Sequence, residues 1–227
     1  GNRNFDGEII AGAFWDLYLN LGSMPQMLDL FKSTYDSGID GPNGNEGEIY
    51  TDILLEVLYA DDNDADLSNG TPNDNAIVDA FNKHGITLLS NAVVTHTPVI
   101  NASSNTPIAI NANISLTYPW ALSSANCYYR LNNSNSWNVL NMNGTINANT
   151  NIPPQQNGTV IAYYLSLTDN FGNESGVNPI AANLDPIKNA NLPYFIMIGF
   201  DLVEEEDFDA NFGFWQTGGV DDNATTG

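Results

Sequence analysis

Apolar residues recur at helical spacing through the first 86 residues of the chain. One face of a first helix is formed by residues at i, i+4, i+7 and i+11: Ile10, Phe14, Leu17 and Leu21. Gly22 follows this face directly, and a glycine at that point is typical of a helix C-cap. The pattern therefore predicts a helix that ends at Gly22.

Three further helices are predicted before residue 87. Ser23 can cap the second of them, and the apolar positions of residues 49–58 indicate the third. Asn73 or Asp74 can cap a fourth helix, which stops at His84–Gly85. The apolar faces of these helices need a partner on which to pack.

The pattern changes near residue 87 from a helical period to alternation. Between Ala92 and Gly199, apolar and polar residues alternate in short runs, for example at residues 108–116, 127–131 and 160–167. Asn, Gly, Ser and Pro separate these runs, as they do in turns between strands. About 100 residues with this pattern predict an antiparallel β-sandwich.

These changes in pattern divide the chain into three predicted segments and indicate a multidomain α + β protein. The segments are a helical one at residues 1–90, a β-sandwich at 91–199 and the start of a further β module at 200–227. The last segment opens on an acidic run followed by aromatic residues. Because the chain opens on Gly1 without a Met, and residues 221–227 include no obvious strand or helix to close it, we expect it to belong to a longer polypeptide.

The charge of the chain argues against nucleic acids and anionic membranes as partners. Twenty-seven Asp+Glu residues against five Lys+Arg residues give a formal net charge of −22, which leaves little to neutralise nucleic-acid phosphates or anionic membranes. No apolar run is long enough to cross a membrane, and the single Cys127 cannot form an internal disulfide. Many Asp and Asn residues with few basic ones lead us to expect a secreted or cell-surface protein.

An acidic loop joins the third and fourth predicted helices. Asp62, Asp64 and Asp66 alternate in it as calcium ligands do, and Asn69 adds a further oxygen donor. The match to an EF-hand loop is partial, because Leu and Asn stand where that loop has its turn glycine and its bidentate glutamate. We predict a calcium site at these four residues; the alternative is a well-capped acidic loop that holds no ion.

The chain lacks the groups for a zinc site of its own. His84 and His96 are its only histidines, and it contains no H-E-x-x-H motif. His84 precedes Gly85, which favours a role at a helix C-terminus, where a cationic side chain suits the helix dipole. No glycine-rich phosphate loop and no G-x-S-x-G motif occur either. We therefore predict that the chain alone does not hydrolyse peptides.

Two segments resemble a known enzyme family. Residues 6–18, with the sequence DGEIIAGAFWDLY, are similar to the helix GE(I/V)-x-A-x-x-(L/F)-W-(D/E)-x-Y late in the catalytic domain of fungalysin-like zinc metallopeptidases, relatives of thermolysin. The acidic loop at residues 61–72, followed by residues 76–86, resembles the end of that domain in secreted bacterial members. Together the two motifs cover about the first 86 residues, in the order in which the family has them.

Later segments resemble modules that often follow such catalytic domains. Residues 128–132 and 152–173 are similar to fibronectin/immunoglobulin-like modules. Residues 206–227 resemble the start of a jelly-roll module of the same kind of secreted protein. The resemblance thus implies a fold in which the helical C-terminal portion of a metallopeptidase-like domain is followed by an antiparallel β-sandwich.

The resemblance also implies where the chemistry of the parent protein lies. In the family, zinc is held by the two His of H-E-x-x-H and a later Glu, and the motif Glu is the general base. These groups would lie upstream of Gly1, so zinc belongs to the parent protein only. The family's oxyanion-stabilising His falls at Asn4, which carries no charge; losing one such donor costs a factor of about 10²–10³ in rate. Arg3 is the alternative cationic donor.

The sequence leaves two functions open. The first is a non-catalytic fragment of a secreted zinc-metallopeptidase-like protein that acts on a polypeptide substrate. The alternative is an adhesion, substrate-binding or spacer protein on an inactive peptidase scaffold, with an extracellular or cell-surface ligand. Exposed aromatic side chains on the strands would favour binding over spacing, and the candidates are Trp120, Trp137 and Tyr129.

Overall fold

The computed structural model of the protein describes residues 3–38, 50–132, 134–184 and 192–200. Its helices come first: α1 (Arg3–Leu21), α2 (Met24–Ser33), α3 (Tyr50–Asp61) and α4 (Asp74–Asn82). A π-helical turn, Thr34–Gly38, continues α2. The strands then follow in chain order: β1 (Val93–His96), β2 (Asn101–Ala102), β3 (Ile108–Ser115), β4 (Leu122–Leu131), β5 (Asn138–Met142), β6 (Asn147–Ile152), β7 (Val160–Asp169), β8 (Glu174–Asn178) and β9 (Tyr194–Ile198).

The junction between α1 and α2 confirms the local signals in the sequence. Gly22 has a φ of +66° and its N–H donates to the carbonyl of Tyr18 at 2.9 Å, which ends α1. Ser23 caps α2, because its side chain accepts a hydrogen bond from the N–H of Gln26. The chain reverses here within two residues, so α2 can pack against α1.

The helices α1 and α4 pack together through their apolar faces. On α1 this face is formed by Ile10, Phe14 and Leu17, and on α4 by Ile77 and Phe81. The rings of Phe14 and Phe81 meet edge to face with centroids 5.6 Å apart. The two segments that resemble the metallopeptidase family are therefore direct neighbours in space.

The strands form two sheets. The smaller sheet has the antiparallel order β1-β3-β6, and the larger has the order β2-β9-β7-β4-β5. The central strand β7 pairs with β4 on one side, while its other side pairs with β9 at Val160–Tyr163 and with β8 further along. The short strand β2 pairs with β9 in parallel.

Side chains on β3 alternate strictly between the core and the solvent. Ile108, Ile110, Ala112 and Ile114 are buried, whereas the residues between them are exposed. Successive side chains of a strand point to opposite faces of its sheet, so this alternation gives the three-stranded sheet one apolar inner face and one solvent-facing outer face.

The fold class predicted from the sequence is wrong. The described residues form a mixed structure of four helices and nine strands, with more strand than helix, and not a helical metallopeptidase-like portion followed by an antiparallel sandwich. The larger sheet is not purely antiparallel, because β2 and β9 run parallel. One hydrophobic core is also continuous from Ile10 in α1 to Ile198 in β9.

The segment between α4 and β1 explains this continuity. Ile86, Leu88 and Leu89 in it are each about 2% exposed, so the segment belongs to the core. Thr87 lies among them, and its hydroxyl is hydrogen-bonded to the hydroxyl of Ser175 on β8. The change of hydrophobic period near residue 87 therefore marks a change of secondary structure and not an end of the core.

Two further sequence predictions concern the C-terminal module and membrane crossing. The predicted further module at residues 200–227 lies outside the described residues, apart from Phe200. The absence of a membrane span was predicted for the whole chain. Across the described ranges, no helix has the length and apolarity that crossing a bilayer requires.

Candidate functional site

The acidic loop between α3 and α4 is closed by Asp61, the last residue of α3. Its carboxylate accepts hydrogen bonds from the Thr71 hydroxyl at 2.7 Å and from the backbone N–H of Asn73 at 2.6 Å. The side-chain amide of Asn73 donates to the second Asp61 oxygen at 2.6 Å, so it does not cap α4. Asp61 thus ties the end of one helix to the start of the next.

The alternating aspartates hold the turn of the loop. Asp62, Asp64 and Asp66 each accept a hydrogen bond from the backbone N–H two residues further on, at 3.3, 3.1 and 3.0 Å. This is the pattern of successive Asx turns, which by itself accounts for the spacing of the aspartates. Asn69 adds a side-chain amide bond to Asp64 at 2.8 Å.

The same loop has some, but not all, of the features of a calcium site. One oxygen of Asp62, Oδ2, is buried without a hydrogen-bond partner. Hydrogen bonds from the Ser68 hydroxyl and N–H hold the pKa of Asp66 below its usual range, which keeps that carboxylate ionised. Among the described residues, however, no three His, Cys, Asp or Glu side chains converge on a point. The calcium site therefore stays a prediction.

The predicted oxyanion position, Asn4, lies in the first turn of α1. Its side chain lies outside the described part of the structure. The backbone places Asn4 where a helix has unpaired N–H groups and the positive end of its dipole.

His84 joins the two segments that carry the family resemblance. Its Nε2 lies 2.8 Å from Oδ2 of Asp16 on α1, and each of the two side chains is 25% exposed. Gly12 lies under the imidazole, because a Cβ placed on Gly12 would be 2.5 Å from Cε1 of His84. Further along α1, the amide of Asn20 donates to the carbonyl of Ala76 at 2.9 Å. These contacts fix α1 against the first turn of α4 and against the residues that follow α4.

His96 takes part in a hydrogen-bonded chain in the strand region. Its Nδ1 lies 2.6 Å from the carbonyl oxygen of Asn111, and its Nε2 lies 2.8 Å from the hydroxyl of Tyr163. The N–H of Val99 donates to that hydroxyl at 3.0 Å, so the Tyr163 proton is free to go to Nε2. A neutral imidazole with its proton on Nδ1 satisfies every member of this chain.

Burial shifts the pKa values of both side chains in this hydrogen-bonded chain, His96 and Tyr163. It lowers the pKa of His96 against the opposing effect of the Asn111 carbonyl, and it raises the pKa of Tyr163. Both groups are therefore neutral near pH 7. The arrangement joins β1 to β3 and to β7 and leaves no imidazole nitrogen for a metal.

The aromatic side chains proposed as a binding platform are not fully exposed. Tyr129 is buried, and Trp120 and Trp137 are half-buried. Trp137 lies edge to face with Tyr164 at 4.9 Å, and the Arg130 guanidinium stacks over it at 4.4 Å. These contacts indicate a structural role for Trp137.

An uncharged pocket, which the sequence reasoning missed, lies on the smaller sheet. It has a volume of about 310 Å³ and is lined by polar residues of β1, β3 and β6 and by Thr97, which follows β1. The imidazole-bearing His96 and four apolar residues complete the lining: Val99, Ala109, Ala112 and Ala148. We call it the amide pocket and define it by Thr95, Thr97, Asn111, Asn113, Asn147 and Asn149. The alternate Asn residues of β3 and β6 are visible in the sequence, but their adjacency depends on strand pairing.

The described residues bring together no nucleophile and base of a known catalytic type. Cys127 is fully buried, and burial raises the pKa of its thiol to about 12, so it is not a thiolate near pH 7. The two histidines are occupied by Asp16 and Tyr163.

No protein-family model matches this sequence, and no curated protein matches it significantly.

Proposed function

We propose that this chain is the non-catalytic part of a secreted zinc-metallopeptidase-like protein. In this proposal the zinc ligands and the general base lie upstream of Gly1, and the parent protein hydrolyses a polypeptide substrate. The observation that carries the proposal is the packing of α1 against α4. The two segments that resemble the family meet through specific contacts, although the contacting residues Asp16 and His84 are 68 positions apart in the sequence.

Those contacts use the residues of both motifs. The Asp16–His84 pair, at 2.8 Å, joins the middle of the first motif to the last residues of the second. Gly12 supports the pair, because a larger residue there would meet the His84 ring. This packing supports the proposal, because two motifs that belong to one domain are expected to lie in contact.

Exposed apolar side chains on α1 and α2 also support the proposal. Trp15 and Leu19 lie one turn apart on α1 and are 57% and 56% exposed, and Leu28 on α2 is 50% exposed. Large apolar side chains that are left in water on neighbouring helices are typical of a surface that another part of a protein covers. A preceding catalytic region of the parent protein would supply such a cover.

The proposal predicts that the purified chain has no peptidase activity. We expect casein to remain intact with this chain, with or without added zinc, because in this proposal the zinc ligands and the general base belong to the upstream part of the parent protein. The readout is release of acid-soluble peptides in the presence of zinc or of EDTA. Cleavage that EDTA abolishes would contradict the assignment.

The coding sequence upstream of Gly1 decides between the two functions. We expect it to encode H-E-x-x-H and a later Glu ligand in the same reading frame. An upstream domain without these ligands would overturn the proposal. It would favour an adhesion, substrate-binding or spacer protein in its place.

Calcium binding at Asp62, Asp64, Asp66 and Asn69 is a second part of the proposal. The buried and unpartnered Oδ2 of Asp62 is the oxygen that supports it. Because the other carboxylates must give up hydrogen bonds within the loop, the affinity should be low, with a dissociation constant on the order of 1 mM. About 10 mM calcium would then add roughly 1.4 kcal/mol to the free energy of unfolding.

We therefore expect the melting temperature to be about 3–6 °C higher in calcium than in EDTA. Asp62→Asn should abolish this difference. Asp29→Asn removes one charge from an exposed position on α2 and should leave it intact. Magnesium at the same concentration controls for general screening of the net charge of −22. Equal melting temperatures in calcium and EDTA would count against the site.

A further inference from the structure

The amide pocket lies on the outer face of the smaller sheet. Its polar side chains come from positions that alternate with buried ones on β1, β3 and β6, and all six are exposed. The buried residues between them, Ala112 and Ala148, face one another in the strand register. Both alanines belong to the lining of the pocket, between the exposed polar residues.

Strand register arranges the polar side chains in two rows. Thr95 faces Asn113, and Asn113 faces Asn147, which gives a row of three across the sheet. Asn111 faces Asn149 in the second row. Directly opposed side chains lie about 5 Å apart, and rows two residues apart along a strand are separated by about 7 Å. The pocket is therefore a regular grid of hydrogen-bonding groups.

Within the described part of the chain, the amides of this grid are largely unused. The side chains of Asn111, Asn113 and Asn147 make no hydrogen bond to another described residue. Asn149 makes a single long bond of 3.4 Å to the carbonyl of Asn143. Each free amide can donate two hydrogen bonds and can accept at its oxygen.

Two hydrogen bonds of His96 also hold the strands that carry the grid in place. Where β1 ends at His96, the imidazole takes over as the donor to the carbonyl of Asn111. The other ring nitrogen is bonded to Tyr163 in the opposite sheet. These bonds fix the edge of β1 relative to β3, so that a ligand meets a grid that is already arranged.

The pocket is uncharged in a strongly acidic protein. Among the described residues, no Asp, Glu, Lys or Arg side chain lines it, and the one titratable residue in its lining is His96, whose pKa is lowered by burial. The chain has a formal net charge of −22, so an anionic ligand would be repelled and would find no cation in the pocket. A cationic ligand would find no carboxylate there. The chemistry of the site therefore selects a neutral ligand.

We propose that the amide pocket binds a segment of a neutral oligosaccharide. Sugar hydroxyls are both donors and acceptors, which matches the double character of the Asn amides and Thr hydroxyls. The volume of about 310 Å³ lies at the small end of ligand pockets, which run from about 300 to 1,000 Å³. Because the pocket is open to solvent, the dissociation constant should be on the order of 1 mM for a short oligomer.

The test is a titration of the full ¹⁵N-labelled chain with cellohexaose, maltohexaose and mannohexaose, followed by NMR of the Asn side-chain amides. We expect at least one of the three to shift the amide signals of Asn113 and Asn147 at about 10 mM. Hexagalacturonate, which carries a carboxylate on each ring, should leave them unshifted. No shift with any neutral oligomer, or an equal shift with hexagalacturonate, would overturn the proposal.

Two variants locate the binding. The double variant Asn113→Ala/Asn147→Ala should bind the active oligomer at least about tenfold more weakly, because two pairs of hydrogen bonds are lost. Asn113→Asp keeps the shape but removes both N–H donors, and should weaken binding in the same direction. Asn141→Ala changes an exposed Asn of β5 outside the pocket and should bind as the parent chain does. Unchanged binding by the double variant would contradict the assigned pocket.

Discussion

Replacing Phe81 with alanine should lower the free energy of unfolding by about 3–5 kcal/mol. Phe81 is 0% exposed, and its ring packs edge to face on Phe14 with the centroids 5.6 Å apart. The substitution removes a large apolar side chain and leaves a cavity between α1 and α4. The loss can be measured by urea unfolding followed by circular dichroism.

Because the core is continuous, we expect Phe81→Ala to destabilise the strands as well as the helices. If helices and strands unfold together, the protection of buried β7 amides such as Leu165 against hydrogen exchange should fall about 10²–10⁴-fold in Phe81→Ala. Unchanged protection in β7 would mean that the strands unfold independently of the helices. That outcome would contradict one cooperative core.

Phe31→Ala is the matched control for this substitution. Phe31 also packs on Phe14, with the ring centroids 4.9 Å apart, but it is 41% exposed. Its truncation should cost only about 1 kcal/mol, since a ring pair contributes about 0.5–1.5 kcal/mol beyond burial and little cavity forms. A cost equal to that of Phe81→Ala would show that the burial of Phe81 is not what matters.

Local features of the structure could be predicted from the sequence. Gly22 and Ser23 identified the end of α1 and the start of α2, because capping depends on residues within one turn of each other. Alternation likewise identified β3, whereas β7, predicted as a strand from the same pattern, is buried along most of its length. In both cases the signal lies within a few residues of the element that it predicts.

The overall fold depends on contacts between residues that are far apart in the sequence. The parallel pairing of Asn101 with Met197 and the bond between Thr87 and Ser175 have no local signal. A change of period near residue 87 is equally typical of a new domain and of a new element on the same core. The predicted fold class was wrong because the described residues form a mixed structure with a parallel strand pair, and not a helical portion followed by an antiparallel sandwich.

The candidate sites also differ in how far they could be predicted from the sequence. The alternating aspartates were found from their spacing, but Asp61 was missed because its partners Thr71 and Asn73 are 10 and 12 residues away. The amide pocket requires β3 to pair with β6, and a loop, β4 and β5 separate those strands in the chain. Residue types that suit a ligand are visible in a sequence, but their convergence is decided by pairing.

Gly12→Ala should destabilise the protein, whereas Gly7→Ala should stabilise it. Both glycines lie in α1, where alanine is favoured over glycine by about 1 kcal/mol. A Cβ at Gly7 would have nothing within 4 Å. At Gly12 it would lie 2.5 Å from Cε1 of His84. Overpacking of this kind typically costs about 1–3 kcal/mol, which exceeds the gain in helix propensity.

The His84 ring cannot simply move aside for a new methyl group at position 12. Its Nε2 is held by Asp16 at 2.8 Å, so rotating the ring away breaks that bond. His84→Ala removes the obstacle, and adding Gly12→Ala in that background should then stabilise the protein, as Gly7→Ala does. Differential scanning calorimetry of the four variants measures this reversal of sign. If Gly12→Ala raised the melting temperature in both backgrounds, then close packing of α1 on His84 would not stabilise the protein, and the chief support for a shared metallopeptidase-like motif would be lost.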